Sequence, residues 1–230
     1  MEARDPGFST NDALDPHGPI ARPRLRGVFH LYAFYLSIAI GSLLVAFSPG
    51  GRSQLAAIIF ALAVVGMFGA SALHHRVTWK ERGYRWSRRL DHAGIYVLIA
   101  GTYTPFALLV LDGAWTTVIL AVIWGGALTA IALKFAWVDA PKWLAAAIAI
   151  ALGWVAVIVF PQMIGAVGWS GMSLVLAGGL LYTAGGLVYA LRRPNPFPRV
   201  FGYHEIFHVL VVAAVCLQYA VVAFWVVHPD

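Results

Sequence analysis

Seven predominantly apolar runs, at about 27–48, 53–75, 90–111, 114–135, 143–161, 167–191 and 203–227, alternate with short segments rich in Arg, Pro and Gly. Each approaches the roughly 20 residues an α-helix needs to cross a hydrocarbon core of about 30 Å. The pattern predicts an all-α integral membrane protein, a seven-transmembrane helix bundle. Two separations are thin. Only Asp112 and Gly113 divide the third run from the fourth, and Pro161 either ends the fifth helix or kinks a longer one.

Residues 1–26 carry Pro6, Pro16, Pro19 and Pro23 among polar and charged neighbours, without an apolar stretch of signal-peptide length. They read as a flexible cytoplasmic tail, which leaves 27–230 as the transmembrane domain. Composition agrees: 60% of the 230 residues are hydrophobic and 11% charged, against about half and a quarter in a water-soluble domain. Cys216 stands alone in an apolar run, so there is no disulfide framework.

The net charge of +6 raises the question of nucleic acid, but no nucleic-acid-binding motif accompanies the basic residues. Membrane topology accounts for them instead. Arg4, Arg22, Arg24 and Arg26 precede the first run, and Arg76, Lys80, Arg82, Arg85, Arg88 and Arg89 join the second to the third. Lys134 and Lys142 flank the fourth-to-fifth connection, and Arg192, Arg193 and Arg199 the sixth-to-seventh. Of the 16 basic residues only Arg52 falls on the other side. An excess of Lys and Arg marks the cytoplasmic side, so the amino terminus is expected inside and the carboxyl terminus outside.

Ionisable groups are costly in lipid and tend to mark function. Here they gather at one predicted depth: His74 and His75 end the second run, Asp91 and His92 begin the third, and His204, Glu205 and His208 begin the seventh. His204 and His208 are one helical turn apart and share a face, as do Ser71 and His75. Three histidines, His75, His204 and His208, form a donor set suited to Zn2+ with an open fourth position, and Asp91 is placed to hydrogen-bond water or a ligand there. His74 and His92 project about 100° away from those faces and are left out. His30, near the start of the first run, is a candidate supporting group. His17 and His228 read as solvated terminal residues.

The stretch His204-Glu205-Ile206-Phe207-His208 also fits H-E-x-x-H, in which the glutamate serves a zinc protease as base. An intramembrane protease of that kind takes its third ligand from a later Asp-Gly. The Asp112-Gly113 pair precedes the motif and lies at the opposite end of the third run, a bilayer core of about 30 Å away. The protease reading fails on that distance.

Ser-Ala-Leu-His-His-Arg at 71–76, Arg88 to Leu111, and His204 to Ala214 together resemble the hemolysin III family from about residue 27 onward. That family is grouped with the progestin and adipoQ receptors, including the adiponectin receptors, and with alkaline ceramidases in a wider superfamily of membrane hydrolases. The resemblance implies a seven-helix bundle holding zinc through His75, His204 and His208, with Asp91 and Ser71 as catalytic groups. It implies a zinc-dependent hydrolase of a lipid amide or ester, working at the cytoplasmic side of a bacterial cytoplasmic (inner) membrane. The expected partners are membrane lipids and a lipid substrate. The alternative is a non-enzymatic protein with a structural zinc: a receptor-like or membrane-homeostasis regulator, or a hemolytic pore former.

Overall fold

The computed structural model describes residues 23–228, so most of the expected tail, with His17, lies outside the described residues. The architecture is all-helical. Its helices are α1 (Val28–Phe47), α2 (Arg52–Arg76), α3 (Glu81–Leu109), α4 (Ala114–Ala136), α5 (Lys142–Gly153), α6 (Phe160–Leu191) and α7 (Tyr203–Val221). A 3-10 stretch, Trp154–Val159, joins α5 to α6, and a π-helical stretch, Val222–Val227, extends α7. Among the described residues there are six helical stretches long and apolar enough to cross a membrane.

The difference from seven lies in Lys142–Leu191, which forms one nearly continuous helical run of 50 residues. Pro161 does not break it, because it occupies the first turn of α6, where its missing N–H costs nothing. The break comes at Gly168, with φ 63° and ψ −179°, a conformation open to glycine. Contacts show where the run goes. Lys142 Nζ donates to Tyr203 Oη at 2.8 Å, beside the start of α7. At the far end the Asp112 backbone N–H donates to Gln162 Oε1 at 3.1 Å. The chain then comes back: Trp154 Nε1 donates to Thr183 Oγ1 at 3.0 Å, and the Tyr189 ring lies 5.9 Å from that of His204.

Tyr103 of α3 holds the α5–α6 junction. Its single hydroxyl hydrogen faces the carbonyl oxygens of Gly153 at 2.6 Å and Leu152 at 3.1 Å, and its oxygen accepts from the Ala156 N–H at 2.8 Å. These backbone groups lie where α geometry changes to 3-10.

Lipid gives helices no hydrophobic reason to associate, so close packing and hydrogen bonds must hold them. Small residues let α2 and α3 approach: a Cβ on Gly101 would stand 2.2 Å from Ala63 Cβ. The third helix also starts at Glu81, nine residues before the apolar run expected at about 90. Helix ends alternate between the two ends of the bundle. The end of α2 and the starts of α1, α3 and α7 therefore meet at one mouth.

Candidate functional site

The mouth is lined by polar groups withdrawn from solvent. Ser71 and His30 are each 2% exposed, His208 1% and Glu205 fully buried. His75 closes α2, and His204 and His208 sit one turn apart at the start of α7. Their ligand-capable atoms all lie within 4.8 Å of one another, and His204 Nε2 is 3.1 Å from His75 Nε2. Asp91 comes from α3, with Oδ2 3.7 Å from His75 Nε2. The three histidines, Asp91 and Ser71 are thus brought together at one mouth. His74, His75 and Asp91 form a second, overlapping group with the same closeness.

Ser71 and His30 organise the carboxylate. The Ser71 hydroxyl lies beside the Asp91 carboxylate, and its Oγ lies 2.9 Å from His30 Nδ1. A serine hydroxyl has one hydrogen and two lone pairs. Giving that hydrogen to the carboxylate would leave Oγ to accept from a proton on His30 Nδ1. The His30 ring stacks on His208, with centroids 3.7 Å apart and planes 8° from parallel. His74 turns aside to α3, its Nδ1 2.9 Å from Ser87 Oγ. His92 lines the cavity behind the cluster and belongs to neither histidine group.

Glu205 is fully engaged in structure. Its Oε2 accepts from the Gly202 N–H at 2.8 Å, capping its own helix, and its Oε1 accepts from Arg26 Nε at 2.6 Å. Arg26 is held there by a short backbone pairing, Arg24 N–H to Arg199 O and Leu25 N–H to Val200 O. The next residue, Gly27, presses on the cluster. At φ 76°, a Cβ on it would stand 2.4 Å from His75 Cβ.

Arg26 went unrecognised in the sequence as part of this mouth, because its partner is distant in the chain. The glutamate three residues after Gly202 does carry a local signal, the spacing of a capping box. Behind the cluster a cavity of about 190 Å³ runs from His208 and Asp91 past Tyr96 and Tyr103 to Leu111 and Met163. Its walls are largely apolar side chains.

Comparison with known proteins agrees with the motifs. Residues 19–219 match the family model described as haemolysin-III related. The chain is 31% identical to the hemolysin-3 homolog of Bacillus subtilis (strain 168) over 169 residues, 74% of this chain and 76% of that one. It is 35% identical to the hemolysin-3 of Bacillus cereus over 137 residues, 60% of each chain. The match thus spans less than two thirds of the B. cereus protein. With its family model covering nearly the whole transmembrane region, the chain belongs to the haemolysin-III related family of membrane proteins.

Proposed function

We propose that this chain is a zinc-dependent hydrolase of a lipid amide or ester, with His75, His204 and His208 holding Zn2+ and Asp91 acting as proton acceptor. The observation that carries this reading is the 3.1 Å separation of His75 Nε2 and His204 Nε2. Zn–N bonds of about 2.0–2.1 Å in a tetrahedron set neighbouring nitrogens about 3.3 Å apart, so this pair needs little movement to share one ion. The buried Nδ1 of His208 has no hydrogen-bond partner among the described residues.

Zinc held by His75, His204 and His208 would supply Lewis acidity and water ionisation near neutral pH, at about 7. The protein groups then divide the work. Asp91 takes the proton as the water oxygen attacks the carbonyl carbon. It returns that proton to the leaving amine or alcohol as the C–N or C–O bond breaks, giving a free carboxylic acid. Ser71 and His30 fix the carboxylate for both transfers. Ser71 donates to a developing oxyanion only by releasing Asp91. The apolar cavity beside the cluster suits an acyl chain with its carbonyl at the histidines.

The proposed topology is seven spans, with Lys142–Leu191 crossing twice. The contacts of Lys142 with Tyr203 and of Gln162 with Asp112 support the first crossing, and Trp154 with Thr183 the return. The distribution of basic residues supports a cytoplasmic amino terminus and an external carboxyl terminus, an orientation in which the cluster would sit at the cytoplasmic face of a bacterial inner membrane.

The relatives' names suggest membrane lysis as a second reading. An ion path would need polar lining along its whole length, and the apolar far part of the cavity, around Leu111, Ile119 and Met163, speaks against one within a single chain. A zinc that only ties α2 to α7 is the stronger non-enzymatic alternative.

The deciding experiment is metal analysis of the purified chain followed by assay against a panel of lipid amides and esters. About one zinc per chain is expected, lost in His204→Ala and in His208→Ala, together with turnover of at least one lipid class. Full zinc content in both variants would remove the site. Stoichiometric zinc without turnover of any lipid would leave the structural role.

A further inference from the structure

The first turns of α3, Glu81 to Leu90, take no part in the histidine cluster, yet they carry four arginines and an exposed Trp86. Arg82, Arg85, Trp86 and Arg89 are spaced three, four and seven residues apart and share one helix face. Together they line a recess of about 320 Å³. Arg88 points elsewhere, to Asp139 at 2.6 Å. The carboxylate recorded against the recess arginines is Glu81, 3.6 Å from Arg85, in a pair whose side chains are more than half exposed. Among the described residues Arg89 Nε is buried without a hydrogen-bond partner, while its guanidinium lies 5.5 Å from the centroid of the Trp86 ring. A buried guanidinium N–H without an acceptor is costly, and it lies in the wall of a recess whose other charged groups are the cationic Arg82 and Arg85.

Position identifies the ligand. The apolar part of α3 begins near residue 90, so nine further residues carry the helix about 13 Å beyond the hydrocarbon, the level of phospholipid headgroups. Trp86 is 49% and Leu90 47% exposed, which suits side chains dipping into the interface. The charge is complementary to a phosphodiester, and arginine binds phosphate oxygens in bidentate fashion.

We infer that Arg82, Arg85 and Arg89, around Trp86, form a binding site for the phosphodiester headgroup of an anionic phospholipid in the leaflet at the histidine mouth. Each arginine near such a surface contributes about fivefold in affinity. This is independent of zinc and of hydrolysis.

The test uses the purified full chain in detergent, titrated with phosphatidylglycerol, phosphatidylcholine or inorganic phosphate, with bound lipid counted by native mass spectrometry. The parent should hold one phosphatidylglycerol at least about tenfold more tightly than phosphatidylcholine. The variant R82Q/R85Q/R89Q should lose that preference. R24Q/R193Q/R199Q, which removes three exposed charges at the same end of the bundle, should keep it. Circular dichroism checks the fold. Should the triple variant misfold, R82Q/R85Q replaces two exposed residues and should still weaken the preference. Unchanged preference in the recess variants overturns the site. So does equal loss in the control, which would reduce the effect to net charge, or displacement of the lipid by inorganic phosphate.

Discussion

His30 of α1 stacks face to face on His208 of α7, and through its other edge it reaches Ser71 of α2. One side chain thus joins three helices and ends a relay, His30 to Ser71 to Asp91, that aims a carboxylate at the histidine cluster. Replacing it with alanine removes a hydrogen bond and opens a cavity, at a combined cost of about 2–4 kcal/mol. Zinc affinity should fall about 10–100-fold, as on loss of a group that supports a ligand. His30→Asn keeps a donor near the place of Nδ1 and should recover much of the Asp91 orientation without the stacking. Melting temperature and zinc titration of the two variants check this. Equal zinc affinity in parent and His30→Ala would show that the stack is only packing.

Glu205 is a structural residue, against the appearance of its motif. Glu205→Gln retains an oxygen to accept from the Gly202 N–H but loses the charge that holds Arg26. The expected cost is about 1.5–3 kcal/mol, the contribution of a hydrogen bond to a charged group. Zinc content should be unchanged, and any turnover should stay close to that of the parent. A fall of several orders of magnitude in zinc-loaded protein would restore the glutamate as a base and contradict the assignment of that role to Asp91.

Helix existence was readable from hydropathy, because about 20 apolar residues have few other fates in a membrane protein. The histidines were readable too, since ionisable groups at one depth stand out against such a background. What escaped notice has physical causes. The first turns of α3 are too charged for a hydropathy window, though they continue a helix that the apolar part has already nucleated. Gly168 gives no signal among the many glycines of the run, and its break shows only in its dihedral angles. Arg26 and Glu205 are 179 residues apart, a pairing that no local pattern encodes.

At the opposite end of the bundle His228 bridges two carbonyls. Its Nε2 lies 2.8 Å from Phe47 O and its Nδ1 2.9 Å from Ala223 O. Both ring nitrogens must carry hydrogen to serve two acceptors, so the Phe47 carbonyl first, and that of Ala223 second, raise the imidazole pKa above its ordinary value. A raised folded-state pKa gives stability that is complete below the unfolded value of about 6.5 and is lost as pH rises through the folded value. His228 is half-buried at the end of the bundle and its partners are neutral carbonyls, so the effect is small. Melting temperature measured from about pH 6 to pH 9 should fall more steeply for the parent than for His228→Gln, whose amide cannot titrate. Parallel curves would show that the bridge carries no net charge.

Asp91 separates an enzyme from a scaffold. It stands beside the histidines without belonging to the proposed ligand set, 3.7 Å from His75 Nε2, and the Ser71 hydroxyl lies beside its carboxylate. In Asp91→Asn the amide oxygen can still accept from Ser71 and the side-chain shape is nearly kept, so the fold should survive with a small change in melting temperature. Zinc affinity should weaken about 10–100-fold from lost support to the ligands, and the comparison is therefore made at equal zinc occupancy. What the variant lacks is a group able to take a proton from water and return it to the leaving group. If the chain is a hydrolase, zinc-loaded Asp91→Asn should lose turnover by about 10²–10⁴, the usual contribution of a positioned acid or base. If zinc only ties helices together, the same variant should complement a deletion strain as well as the parent does. A folded, zinc-loaded and fully functional Asp91→Asn protein would end the hydrolase reading, because no other carboxylate among the described residues shares the histidine cluster with it.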